Sequence, residues 1–386
     1  MIYLDNSATT PLCPEAREAM LGAMDRFGNP SSLHTEGQEA ARLMDEARTA
    51  VTKTLGLRHP ADGLLVFTGS GTEASNLALQ GVVGAKARHA GRTILTTDSE
   101  HPSIENQMKR FEAEGYRVVR IGTHGGILDL DAVDRELETN DVFLASFMLV
   151  NNETGAVYDV AEAFSRIHKK NPAAITHCDA VQGYLKCEYR PERLQSDLMT
   201  LSAHKIGGPK GVGALYVRPD ILKRKYLSPL ILGGGQERGF RSGTENVIGI
   251  AGFGAAAKVA SANLSGNRDA MTGLRDALRE RLAGTGFQVN EPACPAPHIL
   301  SVTLPDIKSE TMLHYLSGQG ICVSSGSACS SHAKQVSRAL TAFGLGAHDA
   351  DCTIRISFGP GNTQEDVERL LQAMVQGRDS LIRIRK

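Results

Sequence analysis

The chain lacks several things whose absence narrows its function. It has almost no net charge, with 42 basic and 43 acidic residues among 386, so no global field points to nucleic acid or an anionic membrane surface, and the expected ligands are small. It has no CxxC pair, and its seven cysteines follow no regular spacing. Together with the lack of a cleavable leader, this fits a reducing, cytoplasmic setting better than a disulfide framework. The longest apolar stretch, Ile248 to Ala262, is interrupted by Lys258 and glycines and falls short of the ~20 residues a membrane-spanning helix needs. There is no internal repeat and no low-complexity segment. At about 150 residues per domain, the length suggests two domains or one large domain with a smaller one.

What is present is a rhythm. Short apolar runs, Leu64–Phe67, Thr93–Thr96, Val142–Phe147, Ala174–Thr176, Leu198–Leu201 and Gly213–Val217, alternate with amphipathic stretches. Such alternation predicts an α/β domain over 15–255 with a mostly parallel sheet covered by helices. Ligands of such sheets collect at the carboxyl ends of the strands. Beyond residue 260 the pattern changes to a helix through Met271–Leu282, a strand over 298–304, a helix over Glu310–Leu316 and a strand at Arg355–Phe358. Residues 1–14 and 256–386 are expected to form a smaller α+β domain. Thr363 with Asp366 marks a capped C-terminal helix, and the basic tail from Arg378 reads as a solvated end.

Chemistry-bearing residues follow the apolar runs. Lys205 stands in the small-residue turn Ser202-Ala203-His204-Lys205-Ile206-Gly207-Gly208, where burial or a neighbouring cation can leave an amine nucleophilic enough to trap an aldehyde. Gly69-Ser70-Gly71-Thr72-Glu73 opens a helix and can hold an anion on its N–H groups; no Gly-Lys-Ser/Thr follows, so it is not a Walker loop. Asp179, in His177-Cys178-Asp179-Ala180-Val181-Gln182, can pair with a cationic ring nitrogen or cap a helix. His101, before Pro102, can stack on a flat cofactor and move protons. Cys329 lies among Ser324, Ser325, Gly326, Ser327, Ala328, Ser330 and Ser331, small residues that give a thiol little to pack against.

Together these motifs resemble the cysteine desulfurases of the class V aminotransferase superfamily. The resemblance also includes Tyr3–Pro11, Gly28–Ser32, Asn151–Gly155 and Gly233–Thr244, and so runs over nearly the whole chain. It implies the type I fold of transferases that use pyridoxal 5′-phosphate (PLP), with a seven-stranded sheet in the large domain. It implies that Lys205 holds the cofactor as an imine, that His101 stacks on the ring, that Asp179 pairs with the ring nitrogen and that Gln182 binds the phenolic oxygen. Gly71, Thr72, Ser202 and His204 would bind the phosphate, joined by Thr244 from the second subunit of a homodimer. Arg355 would grip the substrate carboxylate with Asn152 assisting. Cys329 would take sulfur from L-cysteine as a persulfide, leaving L-alanine, and pass it to an iron–sulfur scaffold or tRNA-thiolation protein.

No intrinsic metal site is expected, although Cys329 could serve as a transient iron–sulfur ligand on such a scaffold. His101 or His332 could accept the thiol proton. The stretch between Cys329 and Arg338 is shorter than in the housekeeping iron–sulfur members and lacks their Leu-Glu-Pro, which leaves the acceptor open. A selenocysteine lyase, a class V aminotransferase and a non-catalytic sulfur carrier on the same fold are the alternatives.

Overall fold

The computed structural model describes residues 1–85, 91–326 and 336–384. Thirteen strands are present among them: β1 (Ile2–Tyr3), β2 (Leu64–Thr68), β3 (Thr93–Thr97), β4 (Arg117–Ile121), β5 (Val142–Met148), β6 (Ile175–Asp179), β7 (Leu198–Ser202), β8 (Gly213–Val217), β9 (Gln288–Val289), β10 (Ile299–Thr303), β11 (Ile321–Cys322), β12 (Ser324–Ser325) and β13 (Thr353–Ser357). Seven build one sheet in the order β2-β8-β7-β6-β5-β3-β4. It is parallel from β7 to β4, while β8 runs antiparallel to both of its neighbours.

Alternation along the strands sorts side chains onto the two faces of this sheet. Leu65 and Phe67 enter one apolar core, whereas Leu64 and Val66 enter the other. Both faces are covered, which explains why β2, β3, β5, β6, β7 and β8 are buried along their whole length and read as apolar runs. The sequence reading passes over β4. Its residues Arg-Val-Val-Arg-Ile carry two charges because the strand is an edge, half exposed until Ile121.

A second sheet, β12-β13-β10-β9, is antiparallel and has its own core, which includes Leu300, Val302, Ile354 and Ile356. The capped C-terminal helix Gln364–Ser380 packs there through Val367, Leu370 and Met374, and Thr363 and Asp366 form the expected capping box. The N-terminus joins this half as well. β1 pairs with β11, Asp5 bridges to Ser357, and Ile2 and Leu4 fill the same core. The helix Val247–Ala262 runs unbroken through the expected junction at 255 and sends Ile250, Phe253 and Ala257 into the large-sheet core. Among the described residues no single helix is long and apolar enough to cross a membrane.

One close approach shapes the loop after β2. Gly213, the first residue of β8, lies so near the Ser70–Gly71 backbone that a Cβ there would stand 2.4 Å from the Ser70 carbonyl carbon and 2.7 Å from the Gly71 nitrogen. A methyl group has no room unless that backbone moves. Gly213→Ala should therefore lower unfolding stability by about 1–3 kcal/mol, as overpacking does, measured as a lower urea midpoint with an unchanged m-value.

Candidate active site

The carboxyl ends of β2, β3, β5, β6 and β7 open into a cavity of about 500 Å³, a common size for a small-molecule site. Each end contributes from the turn that follows it: Ser70, Gly71 and Thr72 after β2, His101 and Ser103 after β3, Val150 and Asn152 after β5, Asp179 and Gln182 at and after β6, Ser202, His204 and Lys205 at and after β7. Arg355 and Ser324 close it from the second sheet, where they are register partners. Ten of the residues singled out in the sequence thus meet here: Gly71, Thr72, His101, Asn152, Asp179, Gln182, Ser202, His204, Lys205 and Arg355. Thr244 does not. It is exposed and lines a separate recess with Arg241 and Asn246. Cys329 and His332 lie outside the described residues.

At the β2 end, Gly71 begins a helix that runs to Gly84, and Ser70 caps it by accepting from the Glu73 N–H at 3.1 Å. The first-turn N–H groups of Gly71 and Thr72 have no carbonyl one turn earlier within the helix and remain for an anion. A Cβ on Gly71 would press on Val181 Cγ2 at 3.1 Å and Ser202 Cβ at 3.3 Å, so a side chain fits here only if those neighbours shift. Glu73 steadies the loop by accepting from Gly69 N–H and from Arg241.

Burial shifts Asp179, His101 and His204 of the cavity wall toward their neutral forms. Asp179 is pushed up to about 6, although its Oδ1 accepts from the Val181 N–H at 3.0 Å. It is a buried carboxylate with the chemistry to pair with a cationic ring nitrogen. Burial and then the charge of Lys205 push His101 down to about 4. Its Nδ1 bonds the N–H and hydroxyl of Ser103 while it caps the helix Pro102–Ala113, which fixes the ring and leaves Nε2 for the cavity. His204, also pushed down to about 4, bonds Thr9. The thiol of Cys178 is pushed well up by burial and stays protonated.

Sequence reasoning missed the N-terminal segment that lies across the cavity. Lys205 Nζ donates to the Ser7 carbonyl at 2.5 Å and to the Ala8 carbonyl at 2.8 Å. Gln182 Nε2 donates to the same Ser7 oxygen at 2.8 Å. Asp5 accepts from Arg355 Nη2 and from the Ser324 hydroxyl, both at 2.8 Å, and Arg355 Nη1 donates to the Asn152 carbonyl at 2.9 Å. Two of the five guanidinium donors are used in this way. Arg355 is 4% exposed and its Nε is buried without a partner among the described residues, so it has unspent donors for a carboxylate. The run Tyr3–Pro11 was a visible motif, but a sequence-distant carbonyl contact leaves no side-chain signature.

Two acids, Glu100 buried and Glu153 half-buried, complete the surroundings. Glu153 is pushed up to about 7 by burial and accepts from the Ser337 hydroxyl at 2.5 Å. Glu100 is pushed up to about 8 by burial; its Oε1 accepts from the Thr97 hydroxyl and the Met148 N–H, both at 2.8 Å, while Oε2 has no partner among the described residues. Folded Glu100 keeps its proton up to about pH 8, whereas the unfolded side chain releases it near 4.5. Rising pH in that window favours the unfolded chain. Glu100→Gln preserves the acceptor and does not titrate, so its stability relative to the parent should grow from pH 4.5 to pH 8, read from denaturant midpoints at both ends.

The Aminotransferase class-V family model matches residues 2–370. A cysteine desulfurase of Trichormus azollae is 38% identical over 379 residues, covering 97% of this chain and 92% of that protein. Among solved structures, a NifS-like protein superposes with a TM-score of 0.89 at 35% identity, covering 98% of this chain and all of the other. A structure of SspA in complex with cysteine superposes with a TM-score of 0.80 at 29% identity, covering 94% of this chain and all of that one. With matches of this length, the chain belongs to the class V aminotransferase family, within its cysteine desulfurases.

Proposed function

We propose that the chain is a PLP-dependent cysteine desulfurase that removes sulfur from L-cysteine, releases L-alanine and carries the sulfur as a persulfide on Cys329. One observation carries the reading: an amine, a buried carboxylate, an imidazole and a helix N-terminus converge on one cavity whose far wall is an arginine. Their chemistry fits the cofactor group by group. Gly71, Thr72, Ser202 and His204 would hold the phosphate, Asp179 the ring nitrogen, Gln182 the phenolic oxygen, His101 the ring face and Lys205 the aldehyde carbon. When bound, PLP supplies an electron sink that stabilises negative charge at the substrate Cα.

The residues of the chain then divide the remaining work. Arg355 binds the substrate carboxylate through its unspent donors, with Asn152 beside it, and this orients the substrate. Lys205, released as an amine, takes the Cα proton and can return it. His332 can accept the proton of the Cys329 thiol, whereas His101, neutral because of burial, takes the Ser103 N–H on Nδ1 and so offers an Nε2–H donor, not a base, to the cavity; the thiolate attacks the substrate sulfur. An S–S bond forms and the Cβ–S bond breaks. The electron pair stays with the substrate carbon, and a proton completes alanine.

We further propose a homodimer in which Thr244 reaches the phosphate of the partner's site. In support, Thr244 is exposed and lines a recess outside its own cavity. The persulfide would be passed to an iron–sulfur scaffold or a tRNA-thiolation protein in the cytoplasm, where Cys329 stays reduced.

Purified protein with PLP should be yellow and convert L-cysteine to alanine, with sulfide released by a reductant. Cys329→Ala should lose the persulfide seen by mass spectrometry, and Lys205→Ala should lower kcat by about 10²–10⁴. Arg355→Lys preserves the charge but not the fork, and should raise KM for cysteine on the order of tenfold with a smaller change in kcat. 3-Mercaptopyruvate as the main product would overturn the desulfurase reading in favour of transamination, and pyruvate released with sulfide and ammonia would overturn it in favour of β-elimination.

A further inference from the structure

His298, the residue before β10, is fully buried, and its Nε2 lies 3.4 Å from the amide oxygen of Gln182. Burial, followed by the charges of Lys186, Arg355, Lys205 and Arg275, pushes the ring well below the usual imidazole range. It is therefore neutral and carries one proton. Its Nδ1 is buried with no partner among the described residues, while Nε2 faces an oxygen that can only accept. The proton therefore belongs on Nε2, and the ring donates to Gln182.

That bond matters because of what the other end of the amide does. An amide offers one acceptor oxygen and two N–H donors. In Gln182 the oxygen is taken by His298, and one N–H is taken by the Ser7 carbonyl at 2.8 Å. Inverting the amide would set its oxygen against the Ser7 oxygen, and its NH₂ could bond Nε2 of His298 only if the ring moved its proton to Nδ1, which is buried with no partner among the described residues, so both ends oppose the inversion. With both ends held, the second N–H remains at a residue that lines the cavity.

On the cofactor reading above, we infer that His298 is a positioning residue, which locks the Gln182 amide so that a donor and not an acceptor meets the phenolic oxygen of PLP. The oxygen is then kept as phenolate by an N–H that cannot turn away. His298 comes from the second sheet and Gln182 from the first, so the polarity of the cavity at this point depends on how the two halves pack.

The test is an absorption titration of the PLP-loaded protein, following the visible band of the cofactor against pH. His298→Leu should raise the midpoint by about one unit, the worth of one hydrogen bond, because a phenolate without its donor holds the nearby proton more tightly. His298→Asn, which retains an N–H, should bring the midpoint back toward the parent. His298→Met repeats the apolar substitution with a more adaptable side chain if His298→Leu does not fold. In a Gln182→Leu background, His298→Leu should move the midpoint no further. An unchanged midpoint in the apolar variants, or a shift of equal size when Gln182 is already Leu, overturns the assignment. A parent protein that develops no visible band with PLP overturns the cofactor reading itself.

Discussion

Ser7 is the joint on which the site depends. Its carbonyl oxygen accepts from Lys205 and from Gln182, both on turns of the large sheet. Its N–H donates at 2.8 Å to the hydroxyl of Ser357, at the end of β13 in the second sheet. A single peptide segment thus spans the two halves and orients the amine and the amide that face the cavity. The backbone can do this because neighbouring residues hold it on both sides. Asp5 is anchored by Arg355 and Ser324, while Thr9 and Thr10 bond His204. Buried backbone groups must find partners, and here the partners are the functional side chains themselves.

The same desolvation that makes the sheet a good scaffold sets the electrostatics at its edge. Asp179, Glu100 and Glu153 are pushed toward their protonated forms, and His101 and His204 away from theirs. Every member of this set carries less charge in the cavity than it would in water. On the proposed reading, the charges that reverse this arrive with the ligands: a ring cation for Asp179, a phosphate for the helix N-terminus, a carboxylate for Arg355. The groups are placed where a ligand charge completes them, as electrostatic preorganisation requires.

How much of this was legible in the sequence follows from the range of each interaction. Strands buried on both faces announce themselves because both faces are apolar, so six of the seven were readable, the edge strand β2 among them; β4 was not, since its edge is half exposed and tolerates Arg117 and Arg120. The turn residues Lys205, Asp179, His101 and Gly71 were readable because each follows a strand end within a few positions, and parallel topology brings strand ends together without further information. What could not be read were contacts spanning the chain. The Asp5–Arg355 pair joins residues 350 apart, and the Gln182–His298 contact joins residues 116 apart. Neither leaves a local pattern, because the pairing is made by the packing of two cores and not by spacing within one element.

The register between β12 and β13 adds a constraint on the sulfur step. Ser324 is paired with Arg355, the proposed anchor of the substrate carboxylate, and Cys329 follows Ser324 by five positions. At ~3.3–3.6 Å per residue, chain length alone keeps the Cα of Cys329 within about 18 Å of the Cα of Ser324. The far end is tied as well: Ser337 donates to Glu153, and Arg338 pairs with Glu105 on the helix that His101 caps. On the proposed reading, a thiol carried between these two anchors would meet the substrate at high effective concentration. On that reading, recognition of the carboxylate and delivery of the thiol would both follow from one strand pairing. The fold shared with aminotransferases can become a sulfur-transfer device by what is attached beyond Ser325, without rebuilding the cavity that holds the cofactor.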